Sequence, residues 1–205
     1  MHADELCLAG PGRRTILPAM KVALRILCAP AALVLLGGCW SHVSPEASQR
    51  FQARQGRFTL TVYPVHVVRG GRTTADFRLG RELVEWINAQ DLAEARPAAR
   101  GLPIAVVWRA NQAKMAQQSA KAFGAWVQRE SPETDYALQA EILCNRDETQ
   151  VLGVHVYLAE RSGLLAAGGL TNSHWEAFQR IRPVDRQGGL AVLKEMILNL
   201  RRRSP

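Results

Sequence analysis

The last third of the chain constrains the fold most strongly, because short apolar segments follow one another there with only brief polar breaks. Residues 135–144 (DYALQAEILC) alternate apolar and polar side chains, and residues 151–160 (VLGVHVYLAE) are rich in β-branched residues. A third segment, 164–175, contains Gly168-Gly169 and follows the tight turn at 161–163. Alternation with a period of two residues is typical of strands. The three segments therefore predict an antiparallel meander.

Upstream of the meander, apolar spacing of three and four residues predicts helices between further strands. The predicted order is β-α-β-α-β-β-β-α, which is an α+β fold with helices packed on a single mixed sheet. Ahead of the meander, strands are predicted at 58–68 and 102–108 and helices at 79–90 and from Asn111 to about residue 130; the last helix is predicted at 188–200.

Two features indicate where the first predicted strand lies in the sheet and where it ends. Pro64 lacks a backbone donor, which favours an edge position or a bulge, and Gly70-Gly71 predicts a turn after it. Asp76 and Asn111 are residue types that cap helix N-termini, and we expect both to do so rather than to take part in catalysis.

The N-terminal region has the organisation of an export signal. The stretch from residue 26 to residue 40 is uncharged and 15 residues long, whereas a spanning helix needs about 20. Lys21 and Arg25 precede it, and small residues follow its apolar part. A basic segment, an apolar segment and a small-residue site in this order predict a secretory signal.

The end of this segment, Leu36-Gly37-Gly38-Cys39, resembles the bacterial lipobox. The resemblance implies cleavage before Cys39, diacylglycerol on its thiol and acylation of the new amino terminus. In that family an Asp after the Cys retains the protein in the inner membrane. Trp40 stands there instead, which implies the outer membrane, with the domain facing the periplasm.

These observations predict three parts. Residues 1–38 are removed as a signal peptide, of which 20–38 is the lipoprotein signal and 1–19 precedes an alternative start at Met20. Residues 39–56 form a lipidated polar tether that lets the domain stand clear of the membrane, and residues 57–205 form a periplasmic α/β domain.

The charge distribution limits the choice of partner. The net charge of +8 is compatible with an anionic partner, but the basic residues are scattered. Export and the lack of an aromatic-basic stripe argue against nucleic acid. In a lipidated, cleaved chain Cys144 is the remaining free cysteine, and a lone cysteine cannot form an internal disulfide.

The segment Asp-Tyr-x-Leu-x-x-Glu-Ile at 135–142, together with the later Ser162-Gly163 turn, is similar to the small periplasmic domain of three kinds of envelope protein. These are penicillin-binding-protein activator lipoproteins, the curli secretion lipoprotein and the N-terminal domain of TolB. The resemblance departs at Glu133-Thr134, where a glycine is expected. It implies a binding or assembly domain and assigns no site residue.

The sequence lacks the common nucleophile, zinc-protease and phosphate-loop motifs, so we predict no catalytic residue, metal or cofactor. His66 and His155 lie in predicted strands and could face one another to bind metal or titrate, although separate, locally hydrogen-bonded histidines are the simpler interpretation. The candidate contacts to a partner or an anion are Arg69, Arg72, Arg78 and Trp175.

The leading hypothesis is an outer-membrane lipoprotein that is not an enzyme. It would be held in the membrane by lipid on Cys39 and would bind an envelope protein, with peptidoglycan as the other candidate partner. The alternative is an envelope enzyme with a site built from residues such as Asp76, Glu141 and His155.

Overall fold

The computed structural model describes residues 43–102 and 111–202. Within these residues five helices surround one mixed sheet of seven strands, as the predicted α+β class requires. The helices are α1 Pro45–Ala53, α2 Phe77–Ala89, α3 Gln112–Glu130, α4 Glu176–Ile181 and α5 Arg186–Arg202. The strands are β1 Thr59–Val62, β2 Val65–Arg69, β3 Arg72–Asp76, β4 Glu94–Pro97, β5 Tyr136–Cys144, β6 Val151–Glu160 and β7 Leu165–Thr171.

The C-terminal meander is confirmed. β5 pairs antiparallel with β6, and β6 pairs antiparallel with β7. All nine residues of β5 are buried, because the strand has neighbours on both sides and helices over both faces. The helices predicted at 79–90, at 111–130 and at 188–200 are also confirmed within a few residues at each end.

The first predicted strand is two strands that share one neighbour. β1 and β2 both pair in parallel with β5, so that Leu60 lies opposite Tyr136 and His66 lies opposite Glu141. Pro64 separates them, and the Gln139 side chain donates to the Pro64 carbonyl over 3.2 Å. Pro64 thus interrupts an interior strand, and the expected edge position was wrong. The turn predicted at Gly70-Gly71 is confirmed, since both glycines have positive φ.

Several elements were not predicted. β4 pairs in parallel with β1 at the sheet edge, where the Asn88 amide bonds both the N–H and the carbonyl of Ala95. The predicted strand at 102–108 lies mostly outside the described residues, which omit 103–110. The polar tether expected at 39–56 contains a helix that was not predicted, α1. Ser44 caps this helix, and its Phe51 is buried against Phe58 and Tyr136, so this part of the chain packs on the domain.

The two faces of the sheet have different cores. One face is apolar and packs against α1, α2, α4 and α5. The other face packs against α3 and combines apolar residues with buried polar ones. Across the two described ranges, each helix is too short or too polar to cross a bilayer.

Candidate functional site

A cleft of about 420 Å³ opens where the β5–β6 loop approaches the β3–α2 junction and the start of α5. We call it the arginine cleft. Its walls come from three distant parts of the sequence and carry five charged side chains: Asp76, Arg78, Glu148, Asp185 and Arg186. Leu79 and Gln187 complete the lining. Such convergence of polar side chains at an open concave surface is typical of a recognition site.

Glu148 holds the cleft together. Arg186 donates Nε–H to its Oε2 over 2.6 Å, and Arg69 pairs with its other oxygen. The Arg186 hydrogen bond, partly opposed by burial, lowers the pKa of Glu148 below its usual value. Arg186 also pairs with Asp76 at 3.2 Å, and Asp76 caps α2 by accepting from the Leu79 N–H over 3.0 Å. This chain of contacts fixes the relative positions of β2, the β5–β6 loop, α2 and α5.

The structure brings three of the predicted contact residues to this region. Arg69 and Arg72 lie directly opposite one another at the end of the β2–β3 hairpin, and Arg78 lines the cleft. Arg72 and Arg78 are exposed and form no ion pair with any part of the chain that the structure describes. Trp175 lies elsewhere. It precedes α4, is half-buried and packs against the apolar core.

Glu148 and Arg186 were missed by sequence reasoning. Glu148 is 79 residues from Arg69 along the chain, and Arg186 is 110 residues from Asp76. Each residue alone looks like an ordinary surface charge, and only the tertiary fold joins them. Asp76 was predicted to cap a helix, which is confirmed.

A second polar cluster lies beneath α3 and is shut off from solvent. His66, Glu141 and His155 occupy matching positions on β2, β5 and β6, so they form a row across three neighbouring strands. None of the three is more than 2% exposed. The predicted placement of both histidines on one sheet is confirmed, but Glu141 lies between them.

Hydrogen bonds converge on the Glu141 carboxyl. Its Oε2 lies 3.0 Å from His155 Nδ1 and accepts from the Tyr157 hydroxyl over 2.9 Å. Burial raises the pKa of Glu141, but the hydrogen bond with His155 and the other neighbours outweigh it and leave the pKa below its usual value. Burial also raises the pKa of Tyr157 well above its ordinary value. The carboxyl is thus held ionised.

Some polar atoms of the buried cluster have no partner in the part of the chain that the structure describes. Within residues 43–102 and 111–202, His66 Nδ1, His155 Nε2 and Gln139 Oε1 make no hydrogen bond. The groups present can exchange protons, but a substrate could reach them only if the covering elements moved. A search of residues 43–102 and 111–202 finds no group of histidine, cysteine and carboxylate side chains arranged to hold a metal ion.

Of the two cysteines that the sequence singles out, only Cys144 lies in the described part of the chain. Cys39, the predicted lipidation site, lies outside the described residues. Cys144 is buried at the end of β5, and burial, assisted by the Glu148 charge, raises the pKa of its thiol to about 11. A thiol protonated at neutral pH is a poor nucleophile, so Cys144 serves as a small core residue.

A comparison of the sequence with protein-family models matches none of them, and a comparison with curated proteins gives no significant match.

Proposed function

We propose that this protein is a lipid-anchored module of the bacterial cell envelope that binds an acidic segment of an envelope protein through the arginine cleft. The lipobox-like sequence at Cys39 supports anchoring in the outer membrane with the domain in the periplasm. The observation that carries the binding function is the open cleft, in which Arg78 lies beside a frame of paired charges, with Arg72 exposed at the end of the β2–β3 hairpin whose Arg69 pairs with Glu148 of the cleft.

The contrast between the two polar regions favours recognition over catalysis. The arginine cleft is open to solvent, and its internal ion pairs fix its shape before a partner arrives. A preformed site loses little conformational entropy on binding. The acid–base groups around Glu141 are buried, so they lack the access to substrate that catalysis requires.

The chemistry of the free arginines indicates the kind of partner. A guanidinium group presents several donors in one plane and binds carboxylates in a bidentate manner. Glu148 pairs with both Arg69 and Arg186, and Arg186 also pairs with Asp76. Among the described residues, Arg72 and Arg78 are therefore the arginines of this region without an ion pair, and the Asp185 carboxylate of the cleft wall partly offsets their charge. A segment rich in aspartate or glutamate can form ion pairs with both arginines.

The test places a photoreactive benzoylphenylalanine at position 187 of the full chain in the bacterium that makes it, because Gln187 is exposed and lines the cleft but is not one of the two binding arginines. A matched variant carries the same group at Lys121, which is exposed on α3 on the other side of the sheet. We expect a discrete protein adduct from position 187 and none from position 121. Adding Arg78→Glu should abolish the adduct, because the added carboxylate repels the acidic segment.

Other outcomes contradict specific parts of the proposal. Equal adducts from positions 187 and 121 would exclude the cleft as the binding surface. An adduct with peptidoglycan would show that the partner class is wrong. Mass spectrometry of the intact protein beside Cys39→Ser tests the anchor separately, since acylation must be present in the parent and lost in the variant.

A second candidate function, catalysis at the buried cluster, is favoured by the unpartnered nitrogens of His66 and His155. It predicts that His155→Gln destroys cellular function while the protein stays folded. The binding function predicts the reverse, with function retained in His155→Gln and lost in Arg78→Glu.

A further inference from the structure

The described part of the fold begins at Val43, four residues after the predicted lipid attachment site at Cys39. Val43 forms a parallel bridge with Leu165, and the Ser44 N–H donates to the Leu165 carbonyl over 2.9 Å. The chain is therefore fixed to β7 from Val43 onward, four residues after Cys39. Four residues span at most about 14 Å in any conformation.

The direction of the bridge shows which end of the domain faces the attachment site. Because the bridge is parallel, the backbone from Val43 to Ser44 runs in the same direction as β7. Val43 lies opposite Leu165, the first residue of β7, which directly follows the β6–β7 turn formed by residues 161–164. The amino-terminal side of Val43 is therefore directed toward the end of the sheet that carries this turn.

The turn exposes one apolar side chain and one basic side chain. Leu164 is 45% exposed, which makes it one of the three large apolar side chains most exposed to solvent in the described residues. Arg161 beside it is exposed and bonds Ser131 through Nε at 3.2 Å, but forms no ion pair with any described residue. The nearby Glu160 is already occupied, because Arg50 donates to both of its oxygens over 2.9 and 2.7 Å.

An exposed leucine beside an unpaired arginine suits the boundary between lipid headgroups and acyl chains. We propose that the turn at 161–164 rests on the membrane that holds the Cys39 acyl chains, with Leu164 at the acyl boundary and Arg161 against a lipid phosphate. This inference rests on the proposed anchoring of Cys39.

The same geometry directs the arginine cleft away from the membrane. β6 has ten residues and spans about 30 Å. The turn at 161–164 follows its last residue, whereas Glu148 precedes its first residue and the Pro183 carbonyl bonds Val151 there. The cleft therefore faces the periplasmic space, and the membrane-proximal end is unavailable to a soluble partner.

The test uses two exposed apolar positions at opposite ends of β6. Leu164→Cys and Val184→Cys are made in the full chain, and the acylated proteins are purified and labelled with the fluorophore NBD. Val184 is 64% exposed and lies beside the start of β6. The engineered thiol is labelled selectively, because Cys144 is buried and acylation blocks Cys39.

Both proteins are reconstituted in vesicles of phosphatidylethanolamine and phosphatidylglycerol that contain lipids with a nitroxide near the headgroup. We expect quenching at position 164 to exceed that at position 184 several-fold. Equally weak quenching of both labels would show an anchored domain that stands clear of the bilayer, which overturns the inference and leaves the anchor intact. Stronger quenching at position 184 would reverse the orientation. A mass spectrum without acyl groups would overturn both the inference and the proposed anchoring.

Discussion

His155 Nδ1 lies 3.0 Å from Glu141 Oε2, and neither side chain is more than 1% exposed. A buried carboxylate is costly unless hydrogen bonds replace the lost water. Here His155 and the Tyr157 hydroxyl both contact the same oxygen, and the pKa of Glu141 stays below its usual value. The cluster is therefore a structural polar core whose disruption can be measured as lost stability.

The contribution of His66 should appear in the pH dependence of unfolding. Burial lowers its pKa below 6.5, although the Glu141 carboxylate acts in the opposite direction. As pH falls through 6.5 the unfolded chain binds a proton that the folded chain does not, so stability is full above this pH and declines below it.

We expect the wild-type free energy of unfolding to fall between about pH 6.5 and 5.5 by at most about 1.4 kcal/mol from this group. His66→Leu should flatten the curve in that window, and His174→Gln, at an exposed position, should retain the wild-type slope. Urea titrations across the pH range measure this. An unchanged slope in His66→Leu would show that His66 does not couple folding to protons.

Tyr157→Phe removes the hydroxyl that donates to Glu141. A buried carboxylate oxygen then loses a donor, and we expect a loss of about 1–3 kcal/mol in the free energy of unfolding. The Glu141→Gln background provides the control, because the neutral side chain needs the hydroxyl less. If the cost of Tyr157→Phe is the same in both backgrounds, the two side chains are energetically independent.

Gly163 and Gly56 form a matched pair for substitution by alanine. Both have φ of 84°, but a Cβ at Gly163 would lie 2.5 Å from the Gly124 carbonyl oxygen, whereas no atom of the described residues comes within 4 Å of a Cβ at Gly56. Gly56→Ala should cost about 1–2 kcal/mol for its backbone conformation alone. Gly163→Ala should cost a further 1–3 kcal/mol or so, because α3 must move from the β6–β7 turn. Thermal unfolding measures the loss of stability in each variant. Equal losses would show that α3 moves away from the β6–β7 turn without further cost.

Cys144 should be unreactive in the folded protein. Its thiol is buried and has a pKa of about 11, so the thiolate is scarce at neutral pH. We expect a maleimide reagent to leave Cys144 unmodified at neutral pH and to modify it fully once urea unfolds the chain. Peptide mapping by mass spectrometry distinguishes it from the other cysteines. Rapid labelling without denaturant would indicate that the end of β5 opens frequently.

Local patterns predicted the elements whose sequences match their environments. β5 and β6 carry alternating or β-branched residues, and Asp76 and Asn111 cap the helices that follow them. The α1 helix was missed because its sequence is polar, although Ser44-Pro45 is a typical helix start. Its stability comes from burying Phe51 against the aromatic rings of Phe58 and Tyr136, which no local pattern reveals.

The candidate site was predictable only in part. Arg69, Arg72 and Arg78 lie close together in the sequence, so their proximity in the fold follows from a hairpin and a helix start. Arg186 joins them from the start of α5, and this long-range contact depends on the complete fold. The row from His66 through Glu141 to His155 has two strand pairings. The Glu141–His155 pairing lies within the predicted β5–β6 meander, whereas the parallel pairing of His66 with Glu141 joins distant parts of the chain and was beyond local reasoning.

The interruption of the interior strand at Pro64 has a consequence for biosynthesis. β1 and β2 form one continuous boundary with β5, yet more than sixty residues of chain separate them from it. A nascent chain that ends before Tyr136 therefore exposes the edge of β1 and β2 that pairs with β5 in the folded protein. Exposed strand edges of this kind pair readily with other chains. A chaperone that holds this segment until β5 is available would prevent such pairing.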